Sequence, residues 1–539
     1  MIINIKDFTK PGDSDSAEGI RKALEYAKTA KASKVVFEAG VYDLLTDKTV
    51  ETDAMIHDAG SKAEHSTKKA HIVIDSMRGL ILEGAVNEDG SPATVLSGHN
   101  DGVVHSYLPS ILWCQKCSEL TIRNIKLKRN PEYGSAGRVV KKTDEFIEVE
   151  VFENNPCENN MGAYCMNRFS QDGQTLIGES VTYGDGADGN WAMTGDRQLR
   201  LYDDKVALKV NEGEILSWHQ GAQTDFQTYF GFCDSLILEN IHTSNANGFS
   251  MLATYCKDIK ARDIKFQPEG NQYFTCPRDA WKLFKCTGNV EIDRMYIEGV
   301  RMDGQNVHNN FILMKQRIAN NQATFYSRYS YFPLVNGAKV AFYNGMDIET
   351  QRIVGWKLEG PAEKGYIYSI EFDGNIPDFV NNETLCLAHC WEPDSYRCSD
   401  STFLNIAGAG HLLRNHDITI NGCTYKNTMN PAILLGAQLL THFEGGHAHN
   451  VTISDCKFDN CGFHPRYETS GGIGINSNGM SEPYNHNIAI KDCEFKNMNI
   501  GVEVICARDV TIDGCSFENV GQKLKIDEKT CDVGSIQIK

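Results

Sequence analysis

"HNVTISDCKFDN", residues 449–460, has the pattern of two short strands with a break between them. Apolar and polar residues alternate up to Ile453, Asp455 interrupts the alternation, and the aromatic Phe458 follows the cysteine. An alternation of period two that is broken by a turn residue predicts a strand, a bend and a second strand. A unit of this length cannot bury its own apolar face, so it must stack on similar units.

Similar units recur along the chain. The second half also contains "HDITINGCTYKN" from His416, "HNIAIKDCEFKN" from His486 and "RDVTIDGCSFEN" from Arg508. Their aligned aliphatic residues are Ile418, Val451, Ile488 and Val510, and their aligned cysteines are Cys423, Cys456, Cys493 and Cys515. Both series have spacings of 33, 37 and 22 residues. Earlier units are "CSELTIRNIKL" from Cys117, "CDSLILENIHT" from Cys233, "CKDIKARDIKF" from Cys256 and "CTGNVEIDRMYIEG" from Cys286.

Units of roughly 20 to 35 residues with no helix between them predict a β-solenoid. The expected fold class is therefore all-β, and the expected architecture is a right-handed parallel β-helix. A β-sandwich is the alternative. It would show antiparallel hairpin signals, such as regularly spaced Asn-Gly turns.

A helix near the N-terminus is expected to cover the open end of the solenoid. In "DSDSAEGIRKALEYAKTA", Asp15 and Glu18 have the spacing of a capping box. Apolar residues follow at the spacing of one helix face, at Ile20, Ala23, Leu24 and Ala27. The segment "KVVFEAGVYDL" then supplies the first strand.

Two segments interrupt the repeat with alternating strands that are typical of small β-domains, and long insertions on a solenoid usually belong to its binding face. The predicted organisation is a capping helix with the first coils (1–127), an inserted β-domain (128–222), coils that carry the candidate site (223–314), an inserted β-barrel-like domain (315–385) and C-terminal coils (386–539).

The charge of the chain limits its partners. It has 53 Lys and Arg against 71 Asp and Glu, a formal net charge of −18, which argues against nucleic acid and anionic membranes as partners. No stretch approaches the roughly 18 apolar residues of a membrane span, and the N-terminus lacks a signal-peptide pattern. The expected location is the cytoplasm, or outside the cell if a signal was removed. Composition leaves a homo-oligomer open, and the 18 cysteines are expected to be reduced core residues.

Two aspartates are the candidates for chemistry. Asp279, in "CPRDAWKLFKC", and Asp303, in "EGVRMDGQNVHNN", are 24 residues apart, which is about one coil. Neighbouring coils stack about 4.8 Å apart, so the two carboxylates are expected to share one site. Paired acids can hold and deprotonate a water, as in glycoside hydrolysis with inversion. The alternative is that both aspartates end strands in polar turns.

Several segments of the chain, among them the residues around this pair, resemble a known family. "GDSDSAEGIRKALEYA" and "KVVFEAGVYDL" resemble the opening of the pectin-lyase-like β-helix superfamily, which includes the polygalacturonases. "PRDAWKLFKCTGNVEIDRMYIEGVRMDGQNVH" is more similar to glycoside hydrolase family one hundred and ten, the inverting exo-acting α-1,3-galactosidases. The resemblance covers most of the solenoid, and it is specific between Asp279 and His308.

The resemblance implies roles for individual residues. Asp279 matches the family's first active-site acid, and Asp303, Asn306 and His308 match its Asp-x-x-Asn-Val-His run, in which Asn306 and His308 would bind sugar hydroxyls. The family has two adjacent aspartates there, whereas this chain has Met302 before Asp303. By analogy with the polygalacturonases, the missing aspartate would be the proton donor, and methionine cannot donate a proton.

Another carboxyl is therefore needed as the acid. The candidates are Glu298, Glu392, Asp394, Glu444 and Glu468, and Glu444 in "THFEGGH" is preferred because its unit also resembles the family. Trp281 and Arg301 are further candidates for substrate binding, since an indole can stack on a pyranose.

The sequence predicts a glycoside hydrolase that acts on a galactose-containing oligosaccharide without a metal or cofactor. One alternative is a polysaccharide lyase acting on uronides, which would want a calcium site of clustered acids and a base. The other is a non-catalytic carbohydrate-binding β-helix. The missing second aspartate agrees with this reading, and paired carboxylates argue against it.

Overall fold

The computed structural model describes residues 1–51, 67–99, 108–182, 186–221, 226–328, 333–440, 442–466 and 469–539.

Strands dominate these residues. The N-terminal part consists of β1 (Ile2–Asn4), α1 (Ala17–Thr29), β2 (Lys34–Val36), β3 (Gly40–Leu44), β4 (Lys48–Glu51), β5 (Thr67–Asp75), β6 (Ile81–Glu83), β7 (Thr94–His99), β8 (Ser110–Gln115) and β9 (Thr121–Asn130). The next part consists of β10 (Gly134–Lys142), β11 (Phe146–Val151), β12 (Tyr164–Phe169), β13 (Leu176–Ile177), β14 (Ala192–Gly195), β15 (Gln198–Tyr202), α2 (Asp204–Lys209) and β16 (Ile215–His219).

The central part carries long strands. It consists of β17 (Phe226–Gly231), β18 (Asp234–Thr243), β19 (Phe249–Thr254), β20 (Lys257–Phe266), β21 (Trp281–Phe284), β22 (Thr287–Asp293), β23 (Tyr296–Val300) and β24 (Gln305–Ala319). It continues with β25 (Gln322–Arg328), β26 (Lys339–Asn344), β27 (Asp347–Ala362), β28 (Gly365–Phe372) and β29 (Leu385–Ala388).

The C-terminal part returns to short strands. It consists of β30 (Pro393–Ser399), β31 (Thr402–Ile406), β32 (His411–Leu413), β33 (Ile418–Asn421), β34 (Thr424–Thr428), β35 (Ile433–Leu435), β36 (Glu444–Gly445), β37 (His449–Ser454), β38 (Lys457–Cys461), β39 (Ile473–Ile475), β40 (Asn485–Lys491), β41 (Glu494–Val504), β42 (Ala507–Asp513), β43 (Ser516–Ile526) and β44 (Ile536–Ile538). Short 3₁₀ turns lie at Ile5–Asp7 and Val533–Ser535.

Three parallel ladders organise the solenoid. Ladder 1 runs β1, β2, β6, β9, β18, β20, β22, β30, β33, β37, β40, β42 and β44. Ladder 2 runs β3, β7, β9, β18, β20, β23, β31, β34, β38, β41 and β43. Ladder 3 runs β5, β8, β17, β19, β21, β24, β32, β35, β39, β41 and β43. The expectation of an all-β protein built from stacked parallel strands is confirmed.

The register of ladder 1 is the one that the repeat predicts. Ile418 pairs with Val451, Val451 with Ile488, and Ile488 with Val510. Because each residue stacks on its equivalent, like side chains form columns through the core. One such column is aromatic, with ring centroids 5.1, 4.8 and 5.0 Å apart from Tyr425 through Phe458 and Phe495 to Phe517.

A column of asparagines marks a bend in ladder 2. Asn405, Asn427 and Asn460 have φ angles of 54°, 56° and 53°, the left-handed region that asparagine tolerates better than most residues. Their side chains bond to one another from coil to coil: Asn427 Nδ2 donates to Asn405 Oδ1, and Asn460 Nδ2 donates to Asn427 Oδ1, each at 3.0 Å. This asparagine is the last residue of the repeated unit in the C-terminal coils.

Helix α1 buries its apolar face in the same core cluster as the solenoid strands. Its start differs from the prediction. Ser16, not Asp15, is the residue before the first helical position, and Asp15 instead accepts a hydrogen bond from the Ala17 N–H at 3.0 Å. Glu18 pairs with Lys22 at 2.7 Å and does not complete a capping box.

Two antiparallel sheets interrupt the ladders. The first has the order β13, β12, β16, β10, β11, β15 and β14, with its own apolar cluster. In the second, β24 pairs with β25, β25 with β28, β28 with β27, β27 with β26, β26 with β29, and β29 with β24, so the ring of strands closes into a barrel. The five domain boundaries given above stay a prediction.

Within the part of the chain that the structure describes, no helix has the length and apolar character that crossing a bilayer requires.

The asparagine column yields a stability prediction. Asn427→Gly keeps the left-handed backbone and removes both side-chain hydrogen bonds of a residue that is 2% exposed, so we expect it to destabilise the protein by about 1–3 kcal/mol. Asn427→Ala should cost more, because its Cβ is strained at positive φ. Urea unfolding measures both. Equal stability of wild type and the glycine variant would contradict the role of the column.

Candidate active site

The structure brings Asp279 and Asp303 together just before two neighbouring strands of ladder 3, β21 and β24. Trp281 pairs with Gln305, so the aspartates two residues earlier lie on adjacent coils. The Asp303 N–H donates to Asp279 Oδ1 at 3.3 Å, and Asp303 Oδ1 accepts from the Ala409 N–H of the following coil at 2.8 Å. The side-by-side arrangement that the spacing predicted is present.

A small residue on the next coil makes room for the Asp303 carboxylate. A Cβ atom on Gly408 would lie 2.6 Å from Asp303 Oδ1 and 2.4 Å from the Met302 carbonyl oxygen. Either distance is far below normal contact. Gly408, the first glycine in "AGAGH", is therefore required by the close approach of this coil to the acid.

Asp303 holds its proton more strongly than an ordinary aspartate. Burial and, next, the negative charge of Asp279 raise the pKa of Asp303 to about 7, against the lowering effect of its hydrogen bond from Ala409. Glu444 adds a smaller repulsion. A substantial fraction of Asp303 is thus protonated at neutral pH.

Asn306 and His308 follow on β24, with their side chains on the outer face of ladder 3. Asn306 Nδ2 donates to Asp279 Oδ2 at 3.3 Å, which ties the amide to the acid pair. Asn306 is 4% exposed, and no described residue donates to its Oδ1. His308 is 3% exposed, and its ring lies 4.8 Å from the Phe284 ring.

Glu444 reaches the site although it lies more than a hundred residues further along the chain. Immediately after His308, β24 leaves the parallel ladder and pairs antiparallel with β36, which sets Asn309 opposite Gly445 and Asn310 opposite Glu444. This pairing brings Glu444 Oε1 to 3.5 Å from His308 Nε2. The preference for Glu444 over the other glutamates as a site residue agrees with this placement.

The surroundings of Glu444 favour the ionised carboxylate over the protonated acid that a proton donor needs. Arg414 Nε donates to Glu444 Oε2 at 2.6 Å. Burial by itself would raise the pKa of the Glu444 carboxyl, but nearby positive charge outweighs it and holds the pKa well below its usual range. The His308 ring supplies part of that charge only when it is protonated, and Arg414 and Lys282 supply the rest. Glu444 is therefore ionised at neutral pH.

Arg301 does not face a substrate. Its guanidinium is 2% exposed and donates to His219 Nδ1 at 2.7 Å, to Asn167 Oδ1 at 2.9 Å and to Ser217 Oγ at 3.1 Å. These three partners belong to the first antiparallel sheet. Burial lowers the pKa of Arg301 to about 9. The prediction that Arg301 binds substrate is therefore corrected: it joins this sheet to the coil that carries Asp303.

Trp281 is also corrected. Its side chain points into the solenoid, where it is 0% exposed and belongs to the main core cluster. Side chains alternate along a strand, so the outward neighbours of β21 are Lys282 and Phe284. A sugar on the outer face cannot stack on the Trp281 indole.

The other candidate acids lie away from this site or outside the described residues. Glu298 accepts a hydrogen bond from the Tyr296 hydroxyl at 2.8 Å on ladder 2, Glu392 contacts His389 Nδ1 at 2.5 Å, and Asp394 is exposed. Glu468 lies outside the described residues.

The sequence did not single out Arg414 or Lys282. Arg414 lies directly after the apolar run of β32, in register with His308 one coil earlier, as the Arg414 N–H to Val307 carbonyl hydrogen bond of 2.9 Å shows. The barrel strands lie between these two coils in the sequence, so the sequence spacing does not reveal the register of the coils. The signal that could have found Arg414 is a charged residue directly after the apolar pair Leu412 and Leu413.

A match to a family model agrees with the fold of the C-terminal coils. A family model described as a right-handed β-helix region matches residues 387–533. Two solved structures align over nearly the whole chain. An exopolygalacturonase from Thermotoga maritima has 9% identity and a TM-score of 0.45, covering 98% of this chain and 91% of its own. The A-module of a mannuronan C-5 epimerase from Azotobacter vinelandii has 10% identity and a TM-score of 0.44, covering 99% and 100%.

Curated relatives include enzymes that act on galactosides. α-1,3-Galactosidase B of Phocaeicola vulgatus is 26% identical over 246 residues, which cover 41% of this chain and 39% of the relative. α-1,3-Galactosidase A of Bacteroides fragilis is 22% identical over 242 residues, covering 42% and 39%. The resemblance to this family is confirmed, and the match spans about two fifths of the length of these relatives.

The buried acid yields a pH-dependent stability prediction. The folded pKa of Asp303, about 7, lies above the value of about 3.9 in an unfolded chain, so its contribution to stability is complete below pH 4 and is lost as the pH rises through 7. Asp303→Asn mimics the protonated acid at every pH. We expect the Tm of the variant minus the Tm of wild type to be larger at pH 8 than at pH 5.

Thermal unfolding at both pH values tests this expectation. Asp394→Asn, at an exposed aspartate, corrects for the loss of one negative charge. A Tm difference between Asp303→Asn and wild type that is the same at pH 5 and pH 8 would contradict the raised pKa.

Proposed function

We propose that the protein is an inverting exo-glycosidase that releases a terminal sugar, with an α-linked galactose as the first candidate, from an oligosaccharide. The observation that carries the proposal is the arrangement of acids: Asp303 keeps a proton near neutral pH beside the carboxylates of Asp279 and Glu444. Acids whose environments push their pKa values apart are typical of glycosidase sites. The printed activity of the curated relatives supports the choice of sugar.

In the proposed reaction, Asp303 gives its proton to the oxygen of the departing group. Met302 stands where the family's pattern has an aspartate, so the proton donor shifts by one residue along the turn. The carboxylate of Asp279 then accepts a proton from the water that attacks the anomeric carbon. No metal takes part in this scheme.

The neighbouring side chains hold the sugar in place. Asn306 presents Oδ1 as an acceptor while its Nδ2 fixes Asp279. β36 lies against β24 directly after His308, and a site that is bounded on one side favours a chain end over the middle of a polymer. This supports exo action.

The whole solenoid would then be a right-handed parallel β-helix. Helix α1 would be its cap, in agreement with the burial of its apolar face. Residues 128–222 and 315–385 would be inserted domains, which is supported by the separate apolar cores of the two antiparallel sheets.

A substrate panel tests the activity. Wild type, Asp279→Asn and Asp303→Asn are incubated with α- and β-linked galactosides, other glycosides and a polyuronide, and the anomer of the product is followed by NMR. We expect cleavage of an α-galactoside with inversion, and a loss of about 10²–10⁴-fold in kcat/KM for Asp303→Asn because the acid is removed. Asp394→Asn is the matched control.

The outcomes separate the classes of function. An unsaturated product from the polyuronide would replace the hydrolase with a lyase. Sugar binding that is equal in all variants, without any turnover, would replace it with a binding protein.

The pH profile provides an independent test. Because Asp303 must be protonated to act as the acid, and its pKa is raised to about 7, we expect kcat/KM to fall tenfold per pH unit well above pH 7. This decrease in kcat/KM above pH 7 should be absent for aryl galactosides whose phenol leaves without a proton. If the decrease remains with such substrates, the titrating group is not Asp303.

A further inference from the structure

The tautomer of His308 is fixed by the backbone next to it. His308 Nδ1 lies 2.9 Å from the Asn309 carbonyl oxygen, which can only accept a hydrogen bond, so Nδ1 carries the proton. Burial lowers the pKa of the His308 ring to about 3. At neutral pH the ring is therefore uncharged, and Nε2 has a lone pair and no proton.

This lone pair faces another acceptor. Nε2 lies 3.5 Å from Glu444 Oε1, and no described residue donates a hydrogen bond to Nε2. Arg414 binds the other oxygen of the carboxylate, Oε2, at 2.6 Å and keeps Glu444 ionised. Two acceptors so close together, in a place that excludes most water, need hydrogen-bond donors from elsewhere.

The arrangement is held rigidly from several sides. The antiparallel pairing of β24 with β36 sets the backbone of both residues, and the Phe311 N–H donates to the Phe443 carbonyl oxygen at 3.1 Å beside it. Arg414 also donates to the Gly436 carbonyl oxygen. The Phe284 ring packs against the imidazole. A rigid pair of acceptors is suited to select a ligand, because little freedom is lost on binding.

We propose that His308 Nε2 and Glu444 Oε1 together bind two adjacent hydroxyl groups of the sugar, each hydroxyl donating one proton to one acceptor. This inference rests on the proposed function and deepens it, because it makes Glu444 a recognition residue. A vicinal diol matches the pair, since it offers two donors on neighbouring carbons. The diol belongs to the sugar that is released, because Asn306, on the same face of β24 as His308, contacts the acid Asp279.

Glu444→Gln is the diagnostic variant. If the amide oxygen stays on Arg414, the amide nitrogen faces His308 and donates to Nε2, so the protein satisfies the acceptor itself. The diol then loses both of its partners while the site remains filled. We expect an unchanged or higher Tm together with weaker sugar binding. Glu392→Gln, at a buried glutamate that pairs with His389, is the matched control for removing such a charge.

Binding of free sugars measures the effect without turnover. Galactose, glucose, mannose and galactosamine are titrated calorimetrically into wild type, and the sugar that binds is compared with its monodeoxy derivatives. For wild type we expect that removing either of two adjacent hydroxyl groups lowers the affinity about 10- to 100-fold, the size expected for hydrogen bonds to a charged or buried partner. In Glu444→Gln both of these affinity penalties should vanish, and in Glu392→Gln both should stay.

The outcomes decide between this inference and the proposed function. Penalties that are the same in wild type and Glu444→Gln overturn the inference and leave the glycosidase proposal intact. Penalties that follow the inference, without hydrolysis of any glycoside, support the inference and overturn the glycosidase proposal. Tighter binding of galactosamine than of galactose identifies an ammonium as the donor and overturns the diol. If no sugar binds, both proposals fall.

The tautomer has a spectroscopic test of its own. In protein with ¹⁵N-labelled histidine, the His308 signals are identified by their absence in His308→Gln. We expect one protonated and one unprotonated nitrogen at pH 7, and a shift of the unprotonated signal when sugar is added. Two protonated nitrogens in the absence of sugar would mean an imidazolium bound to Glu444, and would overturn the inference.

Discussion

The rest of this structure depends on the backbone hydrogen bonds that stack each coil on the one before it. They fix the spacing between coils at about 4.8 Å and place equivalent residues side by side. The aromatic column from Tyr425 to Phe517, the asparagine column and the pairing of Asp279 with Asp303 are consequences of the same register. A slip of one residue on ladder 3 would turn Asn306 and His308 from the outer face to the core.

The acid pair shows how this register creates unusual chemistry. Two carboxylates on neighbouring coils cannot both be ionised cheaply when they are buried, so one of them keeps its proton. The coil after Asp303 contributes a backbone N–H and a glycine, and so accepts the carboxylate without covering it with a side chain. Arg414, which lies one coil after His308, pairs with Glu444 and favours its ionised form.

The two antiparallel sheets contribute to the site without supplying its acids. The first holds Arg301, two residues before Asp303, through His219, Asn167 and Ser217. The barrel begins where β24 leaves ladder 3, and β36 binds to the same strand at that point. Both insertions thus meet the solenoid at the coil of the acids.

The sequence by itself determined the all-β class, the repeat register and the pairing of Asp279 with Asp303, because these follow from short-range periodicity and from residues one coil apart. It failed where contacts join distant segments. Trp281 and Arg301 were expected at the substrate, but the direction of a side chain from a strand and its partners depend on packing against other parts of the chain. The contacts of Glu444 with His308 and Arg414, and the charge state that results, were decided only by the tertiary structure, because burial and long-range pairing set the electrostatics of a site.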